Sequence, residues 1–154
     1  LYATYPAIIL SAQNNDQFLD YGPTIILQHE INGLTFYSLY GHLRTDSLQH
    51  KKPGQVITQG EQFAWVGADT ENGHWAPHTH VQLITDLLGH NGDFPGVVRP
   101  SEQADYLTIC PNPQWFISWN LFVELLFFEK SGIQLLAEDM YRQLQAALKQ
   151  HRSR

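Results

Sequence analysis

The chain has 154 residues, of which 43% are hydrophobic and 16% charged, and its net charge is −6 with histidine counted as neutral. That length accommodates one domain with a real core and is short for two, and the composition excludes a disordered chain. The basic residues form no stripe, only the local clusters Lys51-Lys52 and Arg152/Arg154, so nucleic acid is not expected as a partner.

Residues 1–10 contain no basic stretch followed by a small-residue cleavage site, so no signal peptide is expected there. From residue 1 to about 84, short β-type runs alternate with turn signals, a texture that suggests a sandwich or barrel. Strands are expected over 7–11, 23–29, 34–40, 62–66 and 78–84. Asn32-Gly33 falls between two of them, and both residues tolerate positive φ, so a tight hairpin is expected at that point. Lys52-Pro53-Gly54-Gln55 and Gln59-Gly60-Glu61 read as further turns.

Residues 87–114 are rich in Gly, Pro and Asp, which is loop or linker composition. Cys110, the only cysteine, lies here beside Pro111. It allows no internal disulfide, and nothing in its context activates it as a nucleophile. Residues 115–128 are almost wholly apolar, but a bilayer needs about 20 such residues, so no membrane span is expected. Ile133, Leu136, Met140, Leu144 and Leu148 then recur at steps of three and four. They predict an amphipathic helix that packs on the domain or on a partner domain. The expected fold is mainly β, a small antiparallel barrel-sandwich followed by one or two C-terminal helices. Its β region ends near residue 86, a loop segment spans 87–114, and a helical tail spans 115–154.

Histidine is the anomaly in the composition: five of the eight lie between His42 and His80. In Ala76-Pro77-His78-Thr79-His80-Val81-Gln82, two imidazoles stand two residues apart. On a strand such residues share a face, which would aim both at one metal, or leave one for the metal and one for proton transfer. In Tyr40-Gly41-His42-Leu43 a β-run ends in a histidine, which places it at the rim of a sheet where substrate has access. The glycines fall at hairpin turns and do not form a phosphate-cradling loop, and there is no Gly-x-Ser-x-Gly.

Four segments, taken in order, resemble the lysostaphin/LytM family of zinc endopeptidases. They are Ile25-Ile26-Leu27-Gln28-His29-Glu30-Ile31-Asn32-Gly33, then Tyr40-Gly41-His42-Leu43, then the Gly-punctuated hairpin from Gly54 to Gly67, and last Ala76-Pro77-His78-Thr79-His80. The resemblance covers residues 1 to about 86. It implies the duplicated hybrid motif as the fold and a zinc-dependent endopeptidase of the peptidoglycan-hydrolysing class as the function, with a peptide or peptidoglycan-like substrate. Carried over by position, it makes His80 a zinc ligand. It makes His42 and His78 the catalytic pair that deprotonates the attacking water or stabilises the oxyanion, and it leaves His29 as structural.

The family's other two ligands come from a His-x-x-x-Asp segment upstream of the strand matching Leu1-Tyr2-Ala3, which has no counterpart in this sequence. Zinc is therefore expected for the family while this chain carries an incomplete site, and His74, Asp69 and His90 are the nearest other donors in the sequence. Ala76 stands where the family usually has Gly, and Thr79 where it often has Leu.

Pro95-Gly96-Val97-Val98-Arg99-Pro100-Ser101-Glu102, continuing to Cys110-Pro111-Asn112-Pro113, resembles the stretch that joins such a module to a class III pyridoxal-phosphate aminotransferase. The alternative it implies is a non-catalytic peptidase-like module of a larger enzyme. A biotinyl- or lipoyl-type carrier would share the Gly-rich hairpins, but no lysine sits at a hairpin tip in the required context.

Overall fold

The Asn32-Gly33 pair turns the chain back on itself with φ of 50° and 77°, the doubly left-handed turn whose twist matches that of flanking strands. It joins β2 (Gly22–Ile31) to β3 (Leu34–Gly41) in antiparallel register from Ile31↔Leu34 to Ile25↔Tyr40. β1 (Ala7–Asn15) pairs with the other edge of β2, β4 (Val56–Ile57) lies outside β1, and β5 (His80–Ile84) lies outside β3. In this computed structural model, which describes residues 1–114, 116, 117 and 142, the strands form one antiparallel sheet in the order β4-β1-β2-β3-β5. The fold is mainly β, as composition and turn spacing predict, but the sheet is open, with β4 and β5 at its edges, and does not close into the expected barrel.

β2 is the centre of the molecule. Ile25, Ile26 and Leu27 are all fully buried, which is possible only because both faces of the strand are covered. Ile25 and Leu27 pack with Ile9, Leu43, Ile57 and Phe63 on one face. Ile26 packs with Leu39, Ile84, Phe94 and Ile109 on the other. Along β1 the pairing steps from Ile9↔Leu27 directly to Ser11↔Ile26, so Leu10 is an extra residue in a bulge. The bulge shifts the side-chain alternation by one. Ile9 and Ala12 therefore both pack on the first cluster, while Leu10 packs on the second.

Residues 62–66 are not a strand. Phe63 and Ala64 are both buried, so alternation fails there, and only the isolated bridges Tyr2↔Gln62 and Leu43↔Val66 form. The backbone groups of this segment bond instead to the chain start and to residue 44: Phe63 N–H to Leu1 O, Leu1 N to Ala64 O, and Arg44 N–H to Trp65 O.

The loop-like composition of 87–114 contains a helix, α1 (Gln103–Ile109). Its last carbonyl, Ile109 O, accepts from Thr85 N–H at 2.8 Å and from Thr85 Oγ1 at 3.2 Å, which ties the helix end to the end of β5. Phe94 and Ile109 are 1% and 3% exposed. Burial of side chains of this size contributes about 2–3 kcal/mol each, which is why a Gly- and Pro-rich segment lies flat on the sheet. Among the described residues no helix is long and apolar enough to cross a membrane. The amphipathic helix expected over residues 133–148 falls outside the described residues, apart from the exposed Arg142.

His29 belongs to the interior. It is 1% exposed and stacked on Phe36 at 4.9 Å, with Nδ1 facing Pro6 O at 3.1 Å and Nε2 facing Ser38 Oγ at 2.7 Å. A carbonyl only accepts, so Nδ1 carries the proton and Nε2 accepts from the Ser38 hydroxyl. Burial depresses the His29 pKa to about 4, against the opposing effect of the Pro6 carbonyl. Between pH 6.5 and about 4 the unfolded chain binds a proton at this residue that the folded chain refuses. Stability is therefore whole above pH 6.5 and falls on acidification, by about 3 kcal/mol at pH 4 from this residue. His29→Phe keeps the stacking and removes the titration. Urea unfolding of the variant is expected to show a pH 7-to-4 stability difference smaller by about that amount.

Candidate functional site

At one end of the sheet, the loop before β2, the end of β3, the loop 67–78 and the first residue of β5 enclose a cleft of about 290 Å³. Three histidines line it: His42, His78 and His80.

His42 follows the last residue of β3 and has φ of 60°, an unusual conformation for a residue with a side chain. It is held there from both sides. Its N–H donates to Tyr21 O at 2.7 Å and its carbonyl accepts from Gly67 N–H at 2.9 Å, while the next residue bonds to Pro23 O. The residue is 6% exposed, and Nδ1 lies 2.8 Å from Asn72 O. Nδ1 is therefore the protonated nitrogen of the neutral ring, and Nε2 keeps its lone pair. Burial pushes the His42 pKa below the ordinary imidazole value, helped by His78 and His80 and opposed by the Asn72 carbonyl and Asp20.

Asn72 organises the loop that supplies that carbonyl. It is fully buried, and its side chain donates to Gly67 O and Trp75 O and accepts from Trp75 N–H. Gly67 must be glycine here, because a Cβ would collide with the Leu43 carbonyl and crowd the Asn72 side chain.

His78 is exposed and precedes the strand, since β5 begins only at His80. The shared-face argument for a His-x-His pair therefore does not apply to it. It reaches the site by another route: its ring sits 4.5 Å from that of His42, with Nδ1 2.6 Å from Ala76 O. Again Nδ1 holds the proton in the neutral ring and Nε2 keeps the lone pair.

His80 is half-buried and sits opposite Gly41 in the β3–β5 register, its ring 6.3 Å from that of His42. Its pKa is lowered by burial and by His78, against the Gln82 hydrogen bond. The Tyr21 ring packs edge-to-face on it at 5.0 Å and lies 5.8 Å from His42. Room for Tyr21 exists only because residues 41 and 96 are glycines; a Cβ at Gly41 would stand 2.5 Å from Tyr21 Cδ1. The Tyr21 hydroxyl donates to Phe94 O at 3.0 Å, anchoring the loop that brings Gly96 and Val97 to the cleft wall.

The three residues singled out from sequence thus meet in space. His74 and His90 do not join them: His74 packs on Phe18 at 5.6 Å, and His90 packs on Phe94 at 5.4 Å with Asp93 at 3.8 Å. Among the described residues no group of three or more His, Cys, Asp or Glu side chains is placed to hold a metal ion. Tyr21, Asn72, Trp75 and Gln82 carry the geometry of the cleft, yet sequence reasoning gave none of them a role. Cys110 closes α1 partly buried, its thiol pKa raised by that burial.

Comparison with family models, with curated proteins and with solved structures gives no match.

Asn72→Ala removes the three hydrogen bonds of a fully buried side chain and strands their partners. It is expected to cost about 3 kcal/mol in urea unfolding, whereas a residue that merely lined the cleft would cost far less.

Proposed function

We propose that this chain carries part of a zinc-dependent endopeptidase site acting on short peptide bridges of the peptidoglycan class. The observation that supports the reading is the meeting of His42 with His78 and His80 in one cleft from two separate points of the chain. Two of them, His42 and His80, are biased towards the neutral form by burial, as a general base and a metal ligand both require.

His80 is the residue that would ligate zinc, and its half-buried, hydrogen-bonded ring suits that role. The described residues fit one corner of a tetrahedral site and not the whole of it, since a catalytic zinc takes three protein ligands. The family's two further donors come from an upstream His-x-x-x-Asp segment that has no counterpart in this sequence. Zinc bound there would polarise the scissile carbonyl and acidify a water. His42 and His78 each present a bare Nε2 that can take up a proton or, once protonated, donate to the developing oxyanion. Leu19, Trp75 and Val97 give the cleft an apolar rim that excludes water around a bound peptide.

Zinc titration of the purified protein tests the reading, with His80→Ala as control. Weak binding, lost in the variant, is the expected result for a chain with one of the three ligands. No zinc above the level of the variant would overturn the catalytic reading and favour the alternative, a non-catalytic module of a larger enzyme.

A further inference from the structure

His80 differs from its two neighbours in which nitrogen is tied down. In His42 and His78 the bonded atom is Nδ1, and each faces a backbone carbonyl. In His80 it is Nε2, which lies 3.2 Å from Gln82 Oε1. Gln82 stands two residues further along β5, so the two side chains share a face of the strand.

An amide beside an imidazole could be turned either way, as donor or as acceptor. A third group settles the orientation. Gln82 Nε2 is 3.2 Å from Pro95 O, and a carbonyl accepts only, so the amide nitrogen must face Pro95 and the amide oxygen must face His80. The same nitrogen lies 3.3 Å from Cys110 Sγ at the end of α1, a second acceptor on that side. The amide is thus gripped by the loop carrying Pro95 and by the end of the helix, and it has one acceptor left to offer, which points at Nε2.

We propose that Gln82 is the positioning residue of His80: oriented by Pro95 and Cys110, its amide holds the ring as the Nε2–H form, so that Nδ1 alone has a lone pair to give. The residues of the cleft then present two kinds of nitrogen, Nε2 from His42 and His78 and Nδ1 from His80. That division matches a split between proton transfer and ligation. The assignment of a ligand role to Nδ1 rests on the zinc reading above; the tautomer itself does not.

The two are separated by measuring them apart. Long-range proton–nitrogen NMR spectra of the metal-free full chain, near pH 7.5, report which His80 nitrogen carries hydrogen. The expected result is a single Nε2–H form in the wild type, both forms in Gln82→Met, which keeps the length and apolar volume but has no amide, and return of the Nε2–H form in Gln82→Glu, which restores an acceptor. An Nδ1–H ring in the wild type, or the same mixture in wild type and Gln82→Met, would overturn the proposal, and the wild-type spectrum alone decides this if a variant fails to fold. Zinc titration is then read on its own. A 10–100-fold weaker affinity in Gln82→Met is expected. An unchanged affinity would overturn the ligand role of Nδ1. Absence of any zinc binding alongside the expected tautomers would overturn the zinc reading and leave the positioning role standing.

Discussion

Everything in this fold follows from a strand that cannot be left with a bare face. Ile25, Ile26 and Leu27 are consecutive, and consecutive residues of a strand point to opposite sides, so their complete burial demands cover on both. Ile57 and Phe63 meet the demand on one side, Phe94 and Ile109 on the other. The second of these layers is the consequential one. The chain segment that brings Phe94 and Ile109 to the sheet also brings Pro95 to Gln82, Gly96 to Tyr21 and Cys110 to Gln82. Covering the core and shaping the cleft are therefore one event.

The cleft is built from backbone acceptors more than from charged side chains. Asn72 O and Ala76 O each take an Nδ1–H, and Pro95 O sets the Gln82 amide that in turn takes the Nε2–H of His80. Carbonyls do not titrate, so the tautomers they impose persist for as long as the rings are neutral. Burial adds a second bias by depressing the His42 and His80 pKa values, which delays protonation of these two rings as pH falls below 6.5. Tyr21 ties these parts together: its ring touches both His80 and His42, and its hydroxyl holds the Phe94 carbonyl.

Much of this was legible in the sequence, and the rest was hidden for physical reasons. The Asn32-Gly33 turn and the strands around it were readable because positive φ and apolar runs leave a direct trace. The meeting of His42 with His78 and His80 was expected only from the family resemblance, and a shared strand face does not bring His78 in, because Pro77 and His78 precede the ladder. Residues 62–66 read as a strand because Phe63, Ala64 and Val66 have strand-like apolar character. Nothing local revealed that their backbone partners would be Leu1 and Arg44. α1 was invisible among glycines and prolines, since a seven-residue helix is stabilised by what it packs on and not by its own propensity. Tyr21 escaped notice because it acts through residues far away in the chain, and Asn72 and Gln82 because their local bonds matter only once the fold brings His42 and Pro95 to them.

The most direct test of the account is zinc titration of His42→Gln and His78→Gln beside the wild-type protein, compared at equal foldedness. The account predicts that both variants keep the weak zinc affinity of the wild type, because His80 is the ligand of the three and His42 and His78 serve proton transfer. Loss of zinc binding in either variant would contradict it.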